Sequence, residues 1–383
     1  ERSPKQIVQA VKNSMQCGGF DEVGLTSLST ADYSAIQPLF KSLMETVKGE
    51  KTKLSVSSLR AYGLSEELLD GLASMSSSSL TFAPEAGTQR MRDVVNKNVT
   101  EEHIQLSAKR IFERGWTKMK CYFMIGLPTE TDEDVIGIVD TGKRLLDIAK
   151  AFPQRNKVKI TISVSSHVPK PFTPFQWAAM DDIHDIERKQ EMIASNTKVR
   201  GLQFRKHISN SSHLEGIFAR GDRDLCDLIE MVWQKGGRFD SWSDQLRSDL
   251  WMESIEELGI DRQKYLRSLP LDGRLPWDHI DCGVDMNFLK KEYKRALKDR
   301  LSPPCGKPFP NLLHHTNIED AEEEKRKLVC FTCGIACDMT QMKDERIDYL
   351  KDLSANRKGS HTRQVTGPIG AAAKNGRGQI PTA

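Results

Sequence analysis

The chain has 383 residues, 38% hydrophobic and 28% charged, with 56 basic residues against 53 acidic for a formal charge of +3. That apolar share is enough for a core, which excludes wholesale disorder, and the length suits two or three domains of about 150 residues. No run approaches the roughly 20 apolar residues that cross a bilayer, so a membrane partner is not expected, and so balanced a charge gives no argument for nucleic acid.

The chain starts at Glu1 rather than Met, and its opening lacks an apolar core of signal-peptide type. Ser3 as a cap, Pro4 at the first helical position and Ile7, Val8 and Val11 on one face predict a helix instead. The sequence thus reads as opening in the middle of a fold, as a fragment with residues expected upstream. Short apolar runs then alternate with amphipathic stretches. Strands are predicted at 22–29, 53–59, 79–83, 119–126 and 157–164, and helices at 34–45, 65–75, 87–95, 100–114 and 131–152. Thr100 and His103 occupy cap positions and Thr131 caps the longest helix. This alternation is the pattern of βα units around a parallel sheet, either an open sheet or a barrel.

After Pro171 the pattern changes. A charged helix at 181–198 and a strand at 199–207 precede helices at 213–235, 243–257, 261–268 and 285–299. Pro303, Pro304, Pro308 and Pro310 then break the chain, a cysteine cluster follows, and a short helix covers 340–353. The expected organisation is an α/β domain over 1–175, a mixed then helical extension over 176–300, a Cys-rich segment over 301–340, and a disordered tail or linker over 354–383.

In parallel α/β proteins ligands sit at the carboxyl ends of strands. Glu85 ends an apolar strand beside Gly87, where a carboxylate can accept bonds from ribose hydroxyls; a helix N-terminal acid favoured by the dipole is the plainer reading. The MIGLP run at 124–128 offers apolar surface and backbone amides to a flat base, or is simply a tight turn. His167 lies at another strand end and is a candidate acid or base, whereas His207 and His213 read as packing or surface residues. Trp177, Trp233, Trp242 and Trp277 are expected to pack the extension, and the Arg220–Asp224 charges to form an internal ion-pair network.

Eight cysteines without a secretory signal argue against a disulfide framework and for a reducing, cytoplasmic setting. Cys17 is expected at a helix end in the core. Cys330, Cys333 and Cys337, in a C-x2-C-x3-C order with Cys305 upstream, suit a soft metal: zinc through four thiolates, or an iron–sulfur cluster through three. His314 and His315 are spare candidate ligands.

Three segments together, SLTFAPEAGTQRMRDVVNKNVT, KMKCYFMIGLPTETDEDV and SVSSHVPKPFTPFQW, resemble the radical S-adenosylmethionine superfamily. The likeness is to the subgroup with an N-terminal cobalamin-binding domain, whose C-terminal extension resembles FARGDRDL, RFDSWSDQL and LPWDHIDCGVDMNFLKKEYKRAL. It implies an α/β fold: an incomplete (β/α)₆ partial TIM barrel, followed here by the helical extension and the Cys-rich metal-binding segment. It also implies an enzyme in which a [4Fe–4S] cluster binds S-adenosylmethionine and one electron from a donor yields a 5′-deoxyadenosyl radical. Methylation, methylthiolation and ring rearrangement occur in the wider group.

The cluster of that family is held by C-x3-C-x2-C, which this sequence does not contain. The resemblance therefore places the cluster ligands upstream of Glu1, with cobalamin possible in the intact protein, and makes this chain alone inactive. Carried over position by position, Ser27 and Ser29 meet the methionine group, Ser57 and Arg60 end the next strand, and Glu85 meets the ribose. One of Arg90, Arg92 and Lys97 pairs with the methionine carboxylate. Ile125, Gly126 and Leu127 hold the adenine, with Val168 as a last adenine contact. A second reading is a zinc-stabilised RNA- or protein-binding module on an inactive barrel, its basic tail supplying the contact.

Overall fold

The computed structural model describes residues 1–27, 30–50, 52–56, 66–74 and 80–356. The chain opens with α1 (Pro4–Gly18), where Ser3 and Gln6 form a reciprocal capping box ahead of Pro4. The first βαβ unit is β1 (Glu22–Leu25), α2 (Ile36–Val47) and β2 (Lys53–Val56), and α3 (Glu66–Ser74) follows. Then come β3 (Leu80–Glu85), α4 (Gln89–Val94), α5 (Glu101–Glu113), β4 (Lys118–Ile125), α6 (Asp132–Ala149) and β5 (Lys159–Ser166). After these, α7 (Ile183–Asn196) leads into β6 (Leu202–Lys206).

All strand pairings between these strands are parallel. Among the described residues they form two sheets, β1-β2 and β3-β4-β5-β6, each in sequence order. The continuous arc expected of a partial barrel is not seen among them: β2 and β3 are not paired. The four-stranded sheet runs to Lys206, past residue 175. Met119, Cys121, Phe123 and Ile125 alternate inward from β4, and Ile160, Ile162 and Val164 from β5, so the two central strands carry the core. Helices α5 and α6 pack behind them through Ile104, Ile111, Phe112, Val135 and Ile138. Where β3 turns into α4, the backbone touches α6. A Cβ on Gly87 would lie 2.2 Å from the Ile138 nitrogen and 2.3 Å from the Gly137 carbonyl carbon.

The extension departs from the sequence-based expectation in two places. The single helix expected at 213–235 is two, α8 (Ser209–Ala219) and α9 (Leu225–Gln234). Between them Arg220 turns its guanidinium inward, bonded to the Ala178 and Arg267 carbonyls, and this buried cation fixes the break. Trp177 and Trp277 are buried in a satellite core with Leu275 and Leu289, and the Trp277 indole N–H donates to Gln176 Oε1 at 2.8 Å. Trp233 and Trp242, expected to pack, are 58% and 67% exposed instead. The Arg238 guanidinium stacks over the Trp233 ring at 4.7 Å, which covers one face without burying it.

Helices α10 (Ser248–Glu257), α11 (Gln263–Leu266) and α12 (Met286–Ala296) complete the extension. Beyond the prolines lie α13 (Ile318–Glu323), capped by Asn317 and not anticipated from the sequence, and α14 (Met339–Asp352). This last part folds back onto the start of the chain. Tyr349 stacks on Tyr33, Lys5 pairs with Asp352 at 2.6 Å, and Lys307 reaches Asp32 at 2.6 Å. Residues 357–383, the body of the expected tail, lie outside the described residues. No helix among the described residues is long and apolar enough to cross a membrane.

Candidate functional site

The carboxyl ends of β3, β4 and β5 lie side by side, with Glu85 in register with Phe123 and Ile125 with Ser166. Glu85 has φ 71°, in the left-handed region where a non-glycine residue is uncommon, and the β3–β4 register shifts just before it. Its carboxylate accepts from Lys97 Nζ at 2.8 Å, and both side chains remain partly exposed. At the next strand end Gly126 has φ 80° and donates its N–H to Glu130 Oε1 at 2.8 Å. The Asp181 carboxylate stands 2.9 Å from where a Cβ on Gly126 would be, so a side chain there is excluded by both conformation and space.

Glu130 and Asp181 are joined by Lys189 of α7, whose ammonium lies 2.8 and 2.6 Å from them. Burial opposes the Lys189 charge, but the attraction of Glu130 and the bonds to both carboxylates outweigh it, and its pKa is raised. Burial dominates at Glu130 and raises its pKa in spite of Lys189. In the sequence Lys189 is one of many charges on a charged helix and does not stand out. The signal was its spacing, since Ile186, Lys189, Gln190 and Ile193 fall on one buried face.

Of the cations after β3, Arg90 donates to the Thr129 carbonyl at 2.9 Å and pairs with Asp134. Arg92 is buried, bonded to the Ala86 and Gly87 carbonyls and paired with Glu101 at 3.0 Å. Arg92 is therefore withdrawn as a methionine partner: its charge is used inside the fold. Lys97 alone of the three bonds to Glu85.

His167 follows β5. Its backbone N–H donates to the Ile125 carbonyl at 2.8 Å, its ring meets the Phe175 ring edge-on, and its Nδ1 has no hydrogen-bond partner. Burial lowers its pKa to about 4, so the ring is neutral near pH 7. Val168 is half-buried against the core. In the other sheet Ser27 Oγ is 3.2 Å from Thr30 Oγ1, just beyond β1. Ser29, Ser57 and Arg60 lie outside the described residues.

The C-terminal cysteines form a second neighbourhood. Burial raises the Cys305 pKa, and Cys330, Cys333 and Cys337 add to the shift. No group of three or more His, Cys, Asp or Glu among the described residues is already arranged around a metal position. His315 does not join the thiols as a spare ligand: its Nε2 is 3.2 Å from Glu324. His314 and His315 line a small cavity with Pro308, Leu328, Arg346 and Leu350. Cys17 is exposed rather than in the core, because the last turn of α1 faces outward there.

Residues 1–142 match the family model described as the radical SAM superfamily. That span holds β1 to β4, Glu85 and the Gly126 turn, and it ends within α6. An uncharacterized protein of Methanocaldococcus jannaschii, MJ0966, is 29% identical over 259 residues, 68% of this chain and 54% of that protein. The chain thus spans about half the length of the curated relative it matches. Among solved structures, SuiB of Streptococcus suis aligns with TM-score 0.37 and 15% identity, over 56% of this chain and 46% of its own. TsrM of Kitasatospora setae, a radical S-adenosylmethionine methyltransferase solved with cobalamin and a [4Fe–4S] cluster, aligns with TM-score 0.34 and 15% identity. That alignment covers 78% of this chain and 55% of TsrM.

Proposed function

We propose that this chain carries the S-adenosylmethionine cradle of a radical S-adenosylmethionine enzyme. The observation that supports this best is that Glu85, Gly126 and Val168 lie at or just past the carboxyl ends of three adjacent parallel strands, the first two within the span that matches the superfamily. Glu85 accepts the ribose hydroxyls, with Lys97 holding the carboxylate in place. The backbone at Ile125, Gly126 and Leu127 receives the adenine edge, and Val168 flanks the ring with apolar surface. The Glu130–Lys189–Asp181 network holds the Gly126 turn in the shape this requires. By the resemblance, Ser27, Ser29, Ser57 and Arg60 would serve the methionine end, with Arg90 or Lys97 as the cation for its carboxylate.

The residues present do not fit the cluster that makes S-adenosylmethionine reactive. The sequence has no C-x3-C-x2-C, and Cys330, Cys333 and Cys337 have the reverse spacing. In this reading the cluster and an electron donor serve the intact enzyme, and cobalamin would do so only if the subgroup assignment holds. The narrower assignment to the cobalamin-domain subgroup rests on the long motifs of the extension. Anaerobic reconstitution of the full-length protein with iron and sulfide tests the reading. Cluster absorbance and release of 5′-deoxyadenosine from S-adenosylmethionine are expected; absence of both from folded protein overturns it.

A further inference from the structure

Cys305 and Cys330 lie on two chain segments that pair with each other. Gly306 N–H donates to the Val329 carbonyl at 2.8 Å, Val329 N–H to the Lys307 carbonyl at 3.0 Å, and Pro308 and Leu328 form an antiparallel bridge. This pairing sets Cys305 beside Cys330. The backbone then curls around the sulfurs. Gly306, Thr332, Gly334 and Ala336 all have positive φ, each next to a cysteine. The Thr332 N–H points at Cys330 Sγ, 3.4 Å away, which turns that sulfur toward the loop. Cys333 is anchored from outside: its carbonyl accepts from Asp285 N–H at 2.7 Å, at the cap of α12. Gly334 packs so closely that a Cβ would be 2.4 Å from the Gly283 carbonyl oxygen.

We propose that Cys305, Cys330, Cys333 and Cys337 form a structural zinc site closed by four thiolates. The spacings C-x2-C and C-x3-C are those of tetrahedral structural sites, in which all four positions are protein sulfur and no position is open. Facing residues on paired chains have Cβ atoms about 4.5–5.5 Å apart. Two thiolates at that separation share one ion at about 2.3 Å each. An iron–sulfur cube spreads its cysteines more widely and suits this pairing less. The paired segments bring Cys305 and Cys330 together, and the four thiols do not form a single coordination shell among the described residues. Cys305, Cys330 and Cys337 are exposed, so their thiols can turn inward while the backbone stays anchored.

The site's place in the fold gives it a role. Lys307, two residues after Cys305, donates to Asp32 at 2.6 Å and to the Leu312 carbonyl at 2.8 Å. Arg346 donates to the Gly306 carbonyl and, through Nε, to Ser34 Oγ at 3.1 Å. An ion at the thiols pins the segment that holds the turn after β1 on one side and the cap of α12 on the other. This does not depend on the S-adenosylmethionine reading, and either can fail alone.

The 383-residue chain, purified anaerobically under reducing conditions, should retain about one zinc, with iron and acid-labile sulfide below about a tenth of that. Cobalt in place of zinc should give the visible bands and sulfur charge-transfer absorption of a tetrahedral tetrathiolate. The C330S/C333S double variant should bind at least about tenfold less zinc, and chelation should lower the melting temperature of the parent chain. If the variant does not fold, the cobalt spectrum of the parent chain decides. Stoichiometric iron with sulfide, or a folded chain that retains no metal and shows no tetrathiolate cobalt bands, overturns the proposal.

Discussion

Glu85 and Lys97 form an ion pair of 2.8 Å at the carboxyl end of β3, with Glu85 held in the left-handed region. Neither side chain is fully buried, so the carboxylate is both oriented and accessible. Replacing Glu85 with Ala should weaken S-adenosylmethionine binding to the full-length protein by about 1–3 kcal/mol, the value of charge-assisted bonds to two hydroxyls. Titration calorimetry measures this, with circular dichroism as the check on folding. Unchanged affinity in a folded variant removes Glu85 from the site.

Lys189 is a buried cation between two carboxylates, and removing it leaves Glu130 and Asp181 facing each other. Lys189→Met should cost about 3–5 kcal/mol in urea unfolding. The pH dependence has a definite sign. The folded pKa of Lys189 is raised, so its contribution is fully present below the unfolded value of about 10.4 and is lost as pH rises through the folded one. The parent protein should therefore show an alkaline loss of stability that Lys189→Met lacks; equal alkaline slopes would contradict the network.

His167 has the opposite behaviour. Its folded pKa of about 4 lies below the unfolded value of about 6.5, so the unfolded chain binds the extra proton first. Stability should fall as pH drops from about 6.5 to 4, by about 3 kcal/mol in total from this residue. His103, His213 and His314 are also shifted downward by burial and contribute in the same direction. The difference between the parent and His167→Gln isolates His167: the variant should have a shallower acid slope in urea melts across that window.

Much of the parallel sheet was legible because its signals are local. The Thr100 and His103 pair forms a reciprocal cap at the start of α5, as cap chemistry at that spacing predicts. The six strands appear where the apolar runs lie; β1 and β2 begin at the expected residues and the other four are offset by one to three residues. What failed depended on partners distant in sequence. Arg220 ends α8 because carbonyls from Ala178 and Arg267 surround it, and neither is near it in the chain. Trp233 and Trp242 had the composition of packing residues, but no described element buries them. Within the candidate site, Glu85 and Gly126 stood out by residue type at a strand end. Lys189 did not, because its role exists only once α7 lies beside the β4 turn.

The close approach of the β3–α4 turn to α6 gives a further test, because two glycines face each other there with different neighbours. A Cβ on Gly87 meets backbone atoms of Gly137 and Ile138, which cannot yield unless α6 moves. A Cβ on Gly137 first meets the Thr88 methyl at 2.8 Å and the Gly87 backbone only at 3.2 Å. Gly87→Ala should therefore be the more damaging, by about 3 kcal/mol or more, and Gly137→Ala should stay within about 1–3 kcal/mol. Because Gly87 is two residues from Glu85, Gly87→Ala should also weaken S-adenosylmethionine binding, whereas Gly137→Ala should leave it closer to the parent. Urea midpoints and calorimetry on the same pair of variants check both rankings, and equal costs at the two positions would show that the turn can shift away from α6.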